Sequence, residues 1–133
     1  MSSSQPADRP VRVLFVEDDA SVRQATRFLL QVEGYEVLLA ASAEQALQSV
    51  CADPHIDLII SDYRLGARET GADVIAAVRE LLGRCVGALL LTGDTSVISQ
   101  LRPDPNLRIA SKPIHADHLL ALLAELRAGA GAA

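Results

Sequence analysis

Aromatic side chains are scarce: the 133 residues include no tryptophan, two phenylalanines and two tyrosines. Stacking platforms for unpaired bases are therefore lacking. Basic residues are outnumbered, 12 against 17 acidic, for a formal charge of −5. A nucleic-acid binder needs a basic face that displaces counterions, so no nucleic acid is expected as a partner. Two cysteines, Cys51 and Cys85, are too few for a disulfide framework or a four-ligand zinc site; they read as small apolar residues rather than redox switches. No apolar run approaches the roughly 20 residues of a membrane helix, and the opening MSSSQPADRP has no apolar stretch of the signal-peptide kind. A reducing, cytoplasmic setting with no membrane contact by this domain is the expectation.

Half of the residues are apolar, a globular composition. A chain of this size can bury roughly two thirds of its unfolded surface in one core. Residues 1–10 are Ser/Pro-rich and read as a flexible tail or linker, residues 11–127 as one domain, and the Gly/Ala-rich residues 128–133 as a flexible end. Inside the domain, apolar runs alternate with helical patterns. Strands are predicted over Arg12–Val16 (RVLFV), residues 35–40 (YEVLLA), residues 57–61 (DLIIS), Gly87–Thr92 (GALLLT) and residues 107–110. A first helix carries Val22, Ala25, Leu29 and Val32 on one face and stops near Gly34. Ser42 with Gln45 forms a capping-box pattern that opens a second helix, ended by Pro54. The polar loop YRLGARET leads to a third helix with Val74, Ile75, Val78, Leu81 and Leu82 on its apolar side. Residues 95–102 offer one or two helical turns before Pro103 and Pro105. A last helix begins near His115 and aligns Leu119, Leu122, Leu123 and Leu126. That leucine stripe reads first of all as core, with a partner or homodimer surface as the alternative for part of it. Strands that are apolar throughout, alternating with helices, specify an α/β protein with a mainly parallel sheet covered on both faces.

Polar residues stand at the strand ends of this apolar framework: Glu17 and Asp18 after strand one, Asp62 after strand three, Thr92 after strand four, Lys112 after strand five. In an open parallel sheet these ends share one edge, where ligands bind. Two unit charges about 5 Å apart repel by roughly 3 kcal/mol at an effective dielectric of 20, so converging carboxylates call for a proton or a cation. An all-oxygen set without thiol or imidazole suits Mg²⁺. A divalent cation, an ammonium and a hydroxyl around one carboxylate make a site for a transferring phosphoryl group, with Asp62 as nucleophile. Asp19 reads as the cap of the first helix. His115 and His118, three apart on a helix, lack a third ligand and read as solvated surface, as does His55.

With these five positions in order, residues 11–127 resemble the receiver domain of two-component response regulators. The resemblance implies a flavodoxin-like, doubly wound five-stranded parallel sheet of strand order 2-1-3-4-5. It implies that Asp62 is the phospho-acceptor and that Mg²⁺ (or Mn²⁺) is held by Asp18, Asp62 and the backbone carbonyl of Arg64, with Glu17 acting through water. Thr92 and Lys112 would stabilise the phosphoryl group, and Lys112 is followed by Pro113, a proline that is cis in the family. The implied partner is a histidine kinase or histidine phosphotransfer protein. Two stretches depart from the pattern. Met-Pro after the acceptor is replaced by Leu65-Gly66, with a loop to Gly71 one residue longer, and the aromatic three residues before the lysine is Ile109, which cannot make the family's aromatic switch. DYRL…ETG, LLLTGDT and a short fourth helix look most like the C-terminal receivers of hybrid histidine kinases, which would make the domain the cytoplasmic portion of a membrane-associated kinase.

Several alternatives stand beside that reading. They are a free-standing single-domain response regulator, a receiver-like interaction module that is never phosphorylated, and a phosphohydrolase of the haloacid-dehalogenase type. The last places its nucleophile after strand one in a D-x-D motif, which Glu17-Asp18-Asp19 lacks. Turnover of an external substrate is not expected. Arg64 and Asp94, each two residues beyond Asp62 or Thr92, either pair across the pocket mouth and lengthen the acyl phosphate's lifetime or are solvated independently.

Overall fold

A computed structural model describes residues 9–66, 68–101 and 104–132; most of the expected N-terminal tail, Pro103 and Ala133 lie outside them. Five parallel strands, β1 (Arg12–Val16), β2 (Glu36–Ala40), β3 (Leu58–Asp62), β6 (Gly87–Thr92) and β7 (Leu107–Ser111), form one sheet in the order β2-β1-β3-β6-β7. Counted among themselves, these strands run 2-1-3-4-5, as expected. The helices are α1 (Ala20–Val32), α2 (Ala43–Ala52), α3 (Gly71–Leu82) and α4 (Ala116–Ala132). Between β3 and α3, β4 (Arg64–Leu65) and β5 (Glu69–Thr70) pair as a small antiparallel hairpin.

The strands are apolar on both faces because each face is roofed by helices. Val13, Phe15, Leu58, Ile60, Leu89 and Leu91 pack with Leu30 of α1 and with Leu119, Leu123 and Leu126 of α4. The alternate residues Leu14, Val16, Ile59, Ala88 and Leu90 pack with Ala46 and Val50 of α2 and with Val74, Ile75 and Val78 of α3. Full burial of one such aliphatic or aromatic side chain contributes about 1.5–3 kcal/mol.

Helix ends follow local chemistry. Asp19 caps α1 by accepting from the N–H groups of Ser21 (2.8 Å) and Val22 (3.2 Å). Ser42 Oγ accepts from Gln45 N, and Gln45 Oε1 accepts from Ala41 N rather than from Ser42, so the capping box closes one residue early. Gly83, with φ +73, ends α3 in the left-handed conformation that glycine adopts without strain.

Four features differ from the sequence expectations. On α1, Leu30 is buried and Leu29 packs partly buried against the same core, whereas Val22, Ala25 and Val32 are exposed, along with Phe28 at 70%. The apolar positions of α1 cover more than one stripe, and Arg23 and Arg27 are half-buried despite their charges. Leu81 is likewise exposed. Cys51 and Cys85 are free thiols on the surface, not core residues. The helix α4 continues to Ala132, beyond residue 127, although two of the five residues after Arg127 are glycine, a poor helix former.

The short fourth helix is a 3-10 segment, Thr95–Gln100, capped by Asp94 and anchored by the buried Val97. A strap fixes the chain that follows it. The Arg79 guanidinium donates to Asp104 Oδ2 (2.6 Å), to the Asn106 carbonyl (2.8 Å) and to the Val86 carbonyl (3.0 Å). Burial pushes the Asp104 carboxyl up, but the bond from Arg79, the Asn106 N–H and the Arg79 charge together hold it below its ordinary value.

Candidate functional site

The carboxyl edge of the sheet gathers the residues that the sequence singled out. Glu17 continues β1, its N–H donating to the Ala40 carbonyl (3.0 Å), and the residue is 2% exposed. One carboxylate oxygen accepts from Asp19 N (3.1 Å); the other, Oε1, is buried without a hydrogen-bond donor, 3.7 Å from Lys112 Nζ. Asp18 is exposed and accepts from the Gly66 N–H (3.3 Å). Asp62 closes β3, nearly buried, and its Oδ1 is ion-paired with the Lys112 ammonium. Strand alternation explains the grouping: Glu17, Asp62 and Lys112 continue the series 13-15, 58-60 and 110 that face α1 and α4. Lys112 is also the only lysine in the sequence.

Carboxylate oxygens of Glu17, Asp18 and Asp62 lie within 4.8 Å of one another, and this is the one cluster of metal-type ligands among the described residues. Burial raises the Glu17 pKa and the Asp62 charge adds to it, against the Asp19 N–H and Lys112. For Lys112 burial acts downward, but the bond to Asp62 and the charges of Asp62 and Glu17 outweigh it and raise its pKa. Three carboxylates thus face one ammonium in this cluster. An all-oxygen donor set with a buried, donor-free oxygen fits a hard divalent cation.

Thr92 closes β6 and is 3% exposed. Its hydroxyl accepts from Asp94 N (3.0 Å) and donates to the Asp94 carbonyl (3.2 Å), so it is held in its own loop. The Lys112 N–H donates to the Thr92 carbonyl (2.8 Å), and the Lys112–Pro113 peptide is cis. A pocket of about 230 Å³ opens beside Asp62, lined by Tyr63, Arg64, Thr92, Gly93, Asp94 and Lys112. Arg64 and Asp94 share this pocket, yet no ion pair within 4.0 Å joins them among the described residues. Asp94 is committed to Ser96, accepting from its hydroxyl (2.7 Å) and its N–H (3.0 Å). These two bonds, with the nearby charge of Arg64, hold its carboxyl below the ordinary range. Ile109 is half-buried against the α2/α3 core cluster. His115 and His118 are exposed and apart from the pocket residues.

Sequence reasoning missed the hairpin that follows Asp62. Its signals are Gly66, which turns with φ +71, and Thr70, whose hydroxyl caps α3 by accepting from Asp73 N. Gly71 then passes so close to β3 that its N–H donates to the Tyr63 carbonyl (2.6 Å).

A doubly wound parallel sheet with three acids, a threonine and a lysine on its carboxyl edge defines a flavodoxin-like α/β protein with an acid pocket. The model of the response regulator receiver domain matches residues 13–124, and the chain belongs to that family. It is 35% identical over 91 residues to the two-component response regulator PprB of Pseudomonas aeruginosa, covering 67% of this chain and 33% of that protein. It is 37% identical over 95 residues to the transcriptional regulatory protein AruR of the same organism, covering 68% of this chain and 37% of that protein. The chain thus spans about a third of the length of these relatives. Among solved structures, the Vibrio cholerae chemotaxis protein CheY4 superposes with a TM-score of 0.78 at 30% identity, over 89% of this chain and 99% of that one. The signal receiver domain of an HD domain-containing protein from Pseudomonas fluorescens superposes with a TM-score of 0.80 at 26% identity, over 94% of this chain and all of the other. AruR is a transcriptional regulator by name, so the expectation that nucleic acid is not a partner gains no support from the relatives. No helix among the described residues is long and apolar enough to cross a membrane.

Proposed function

We propose that the chain is a phospho-acceptor that takes a phosphoryl group from a phosphohistidine onto Asp62, with Mg²⁺ (or Mn²⁺) held by Asp18, Asp62 and the Arg64 carbonyl, and by Glu17 through water. The observation that carries this reading is the Asp62–Lys112 pair inside a cluster of three carboxylates. An Asp62 oxygen attacks phosphorus; the O–P bond forms as the donor's N–P bond breaks, and the imidazole leaves with the electron pair. The bound cation supplies charge neutralisation of the phosphoryl oxygens. Lys112 orients the Asp62 carboxylate and then faces the new oxygens. The Thr92 hydroxyl, freed from Asp94, donates to one of them. The donor is a histidine kinase or phosphotransfer protein. The names of the relatives favour the receiver part of a response regulator over that of a hybrid histidine kinase. Exposed free thiols suit a reducing, cytoplasmic compartment.

Intact mass after incubation with acetyl phosphate and Mg²⁺ tests the reading. Wild type is expected to gain one phosphoryl group, and neither the Mg²⁺-free sample nor Asp62→Asn should gain any. A folded, Mg²⁺-binding wild type that stays unmodified both here and with a phosphohistidine donor would favour the unphosphorylated interaction module.

The residues at the mouth would tune the lifetime of the acyl phosphate. Arg64 and Asp94 flank the approach of the attacking water, each through its own charge and bulk rather than as an ion pair. Arg64→Ala and Asp94→Ala are each expected to change the phosphoprotein half-life by about two- to fivefold, the scale of an exposed charge. Half-lives equal to wild type in both variants would remove these residues from the tuning role.

A further inference from the structure

The β4–β5 hairpin has only two residue pairs, Arg64 with Thr70 and Leu65 with Glu69, and a ribbon that short is not stable alone. Its position is set by anchors. Leu65 is buried in the core, and the Gly71 N–H holds the base against Tyr63. At the turn, the Gly66 N–H donates to Asp18 Oδ2. The return strand is tied on the far side, where Glu69 Oε1 accepts from Ala43 N (3.1 Å). Ala43 is the first residue of α2, and its N–H is one of the donors that a helix start leaves unpaired. A carboxylate is well matched to that end of the helix. Among the described residues this is the only side-chain bond from the hairpin to α2.

We infer that Glu69 is a positioning residue for the acid pocket. By fixing the strand paired with Leu65, it keeps the Gly66 N–H on Asp18 and the Arg64 backbone beside Asp62. The inference rests on the reading of Glu17, Asp18 and Asp62 as a divalent-cation site. Glu69 touches neither cation nor phosphoryl group; it acts through the hairpin.

Calorimetric titration of the full chain with MgCl₂ alone tests it. Glu69→Ala is expected to weaken Mg²⁺ binding about three- to tenfold, less than the ten- to hundredfold typical when a ligand's direct partner is lost. Glu69→Gln keeps an acceptor oxygen and should stay within about twofold of wild type. Ala43→Pro removes the donor instead of the acceptor. Proline is tolerated at the first helical position, and Ser42 before it is already extended, with φ −155 and ψ 169. This variant should match Glu69→Ala, and the double variant should lose no more than either alone. The Gly66 amide should exchange faster with solvent in both. Wild-type affinity in Glu69→Ala and Ala43→Pro, with only the thermal midpoint lowered, would overturn the inference and leave the phospho-acceptor reading intact. Absence of Mg²⁺ binding in wild type would overturn both.

Discussion

Lys112→Met is expected to slow phosphoryl transfer to Asp62 by about a hundred- to a thousandfold, the effect of removing one preorganised charge from a developing anion. The ammonium bonds Asp62 and lies 3.7 Å from Glu17, so it touches both the proposed nucleophile and the acid beside it. It is also the only lysine, and no described arginine lines the pocket apart from Arg64 at its mouth. No second cation stands ready to replace it. The same substitution should tighten Mg²⁺ binding, because it removes a positive charge from the carboxylates that the cation would occupy. Slower transfer with stronger Mg²⁺ binding separates loss of a transition-state contact from misfolding. Rates of acetyl phosphate labelling and a Mg²⁺ titration on the same preparation give both quantities; an unchanged labelling rate would remove Lys112 from the chemistry.

Gly71→Ala is expected to destabilise the fold by about 3 kcal/mol, at the upper end of overpacking costs. A Cβ at this position would lie 2.6 Å from Leu90 Cδ1 and 2.7 Å from Ser61 Oγ, with the Asp62 carbonyl oxygen nearer still. Leu90 and Ser61 are fully buried and the third obstacle is backbone, so there is little room to yield. Relief requires β3 and the start of α3 to separate, which would carry Asp62 away from Lys112. Such a loss is a large share of the 5–15 kcal/mol typical of a domain. Urea unfolding of the variant measures it; a stability within about 1 kcal/mol of wild type would mean that the strand end moves freely.

The legible parts of this protein were those in which one residue type has one physical use. Short apolar runs bounded by turn residues, such as GALLLT, read as strands buried on both faces, and an acid, hydroxyl or amine at the end of such a run has no apolar explanation. Glu17, Asp62, Thr92 and Lys112 were readable for that reason, although ninety-five positions separate the first from the last. What stayed hidden depends on contacts between segments. Arg23 and Arg27 look like solvent-facing charges, yet both are half-buried, and the Arg23 head donates to the Glu17 carbonyl (2.8 Å). The hairpin after Asp62 is shorter than any periodic pattern, and its anchors, Asp18 and Ala43, lie more than twenty residues away. Nothing local marks Glu69 as different from other surface glutamates.

Because lysine occurs once, isotope labelling of lysine alone would give a spectrum of one residue. That residue has two nitrogens with different neighbours: its backbone amide donates to the Thr92 carbonyl, and its ammonium to Asp62. A single labelled amino acid would therefore report on both walls of the pocket at once, with no assignment problem to solve.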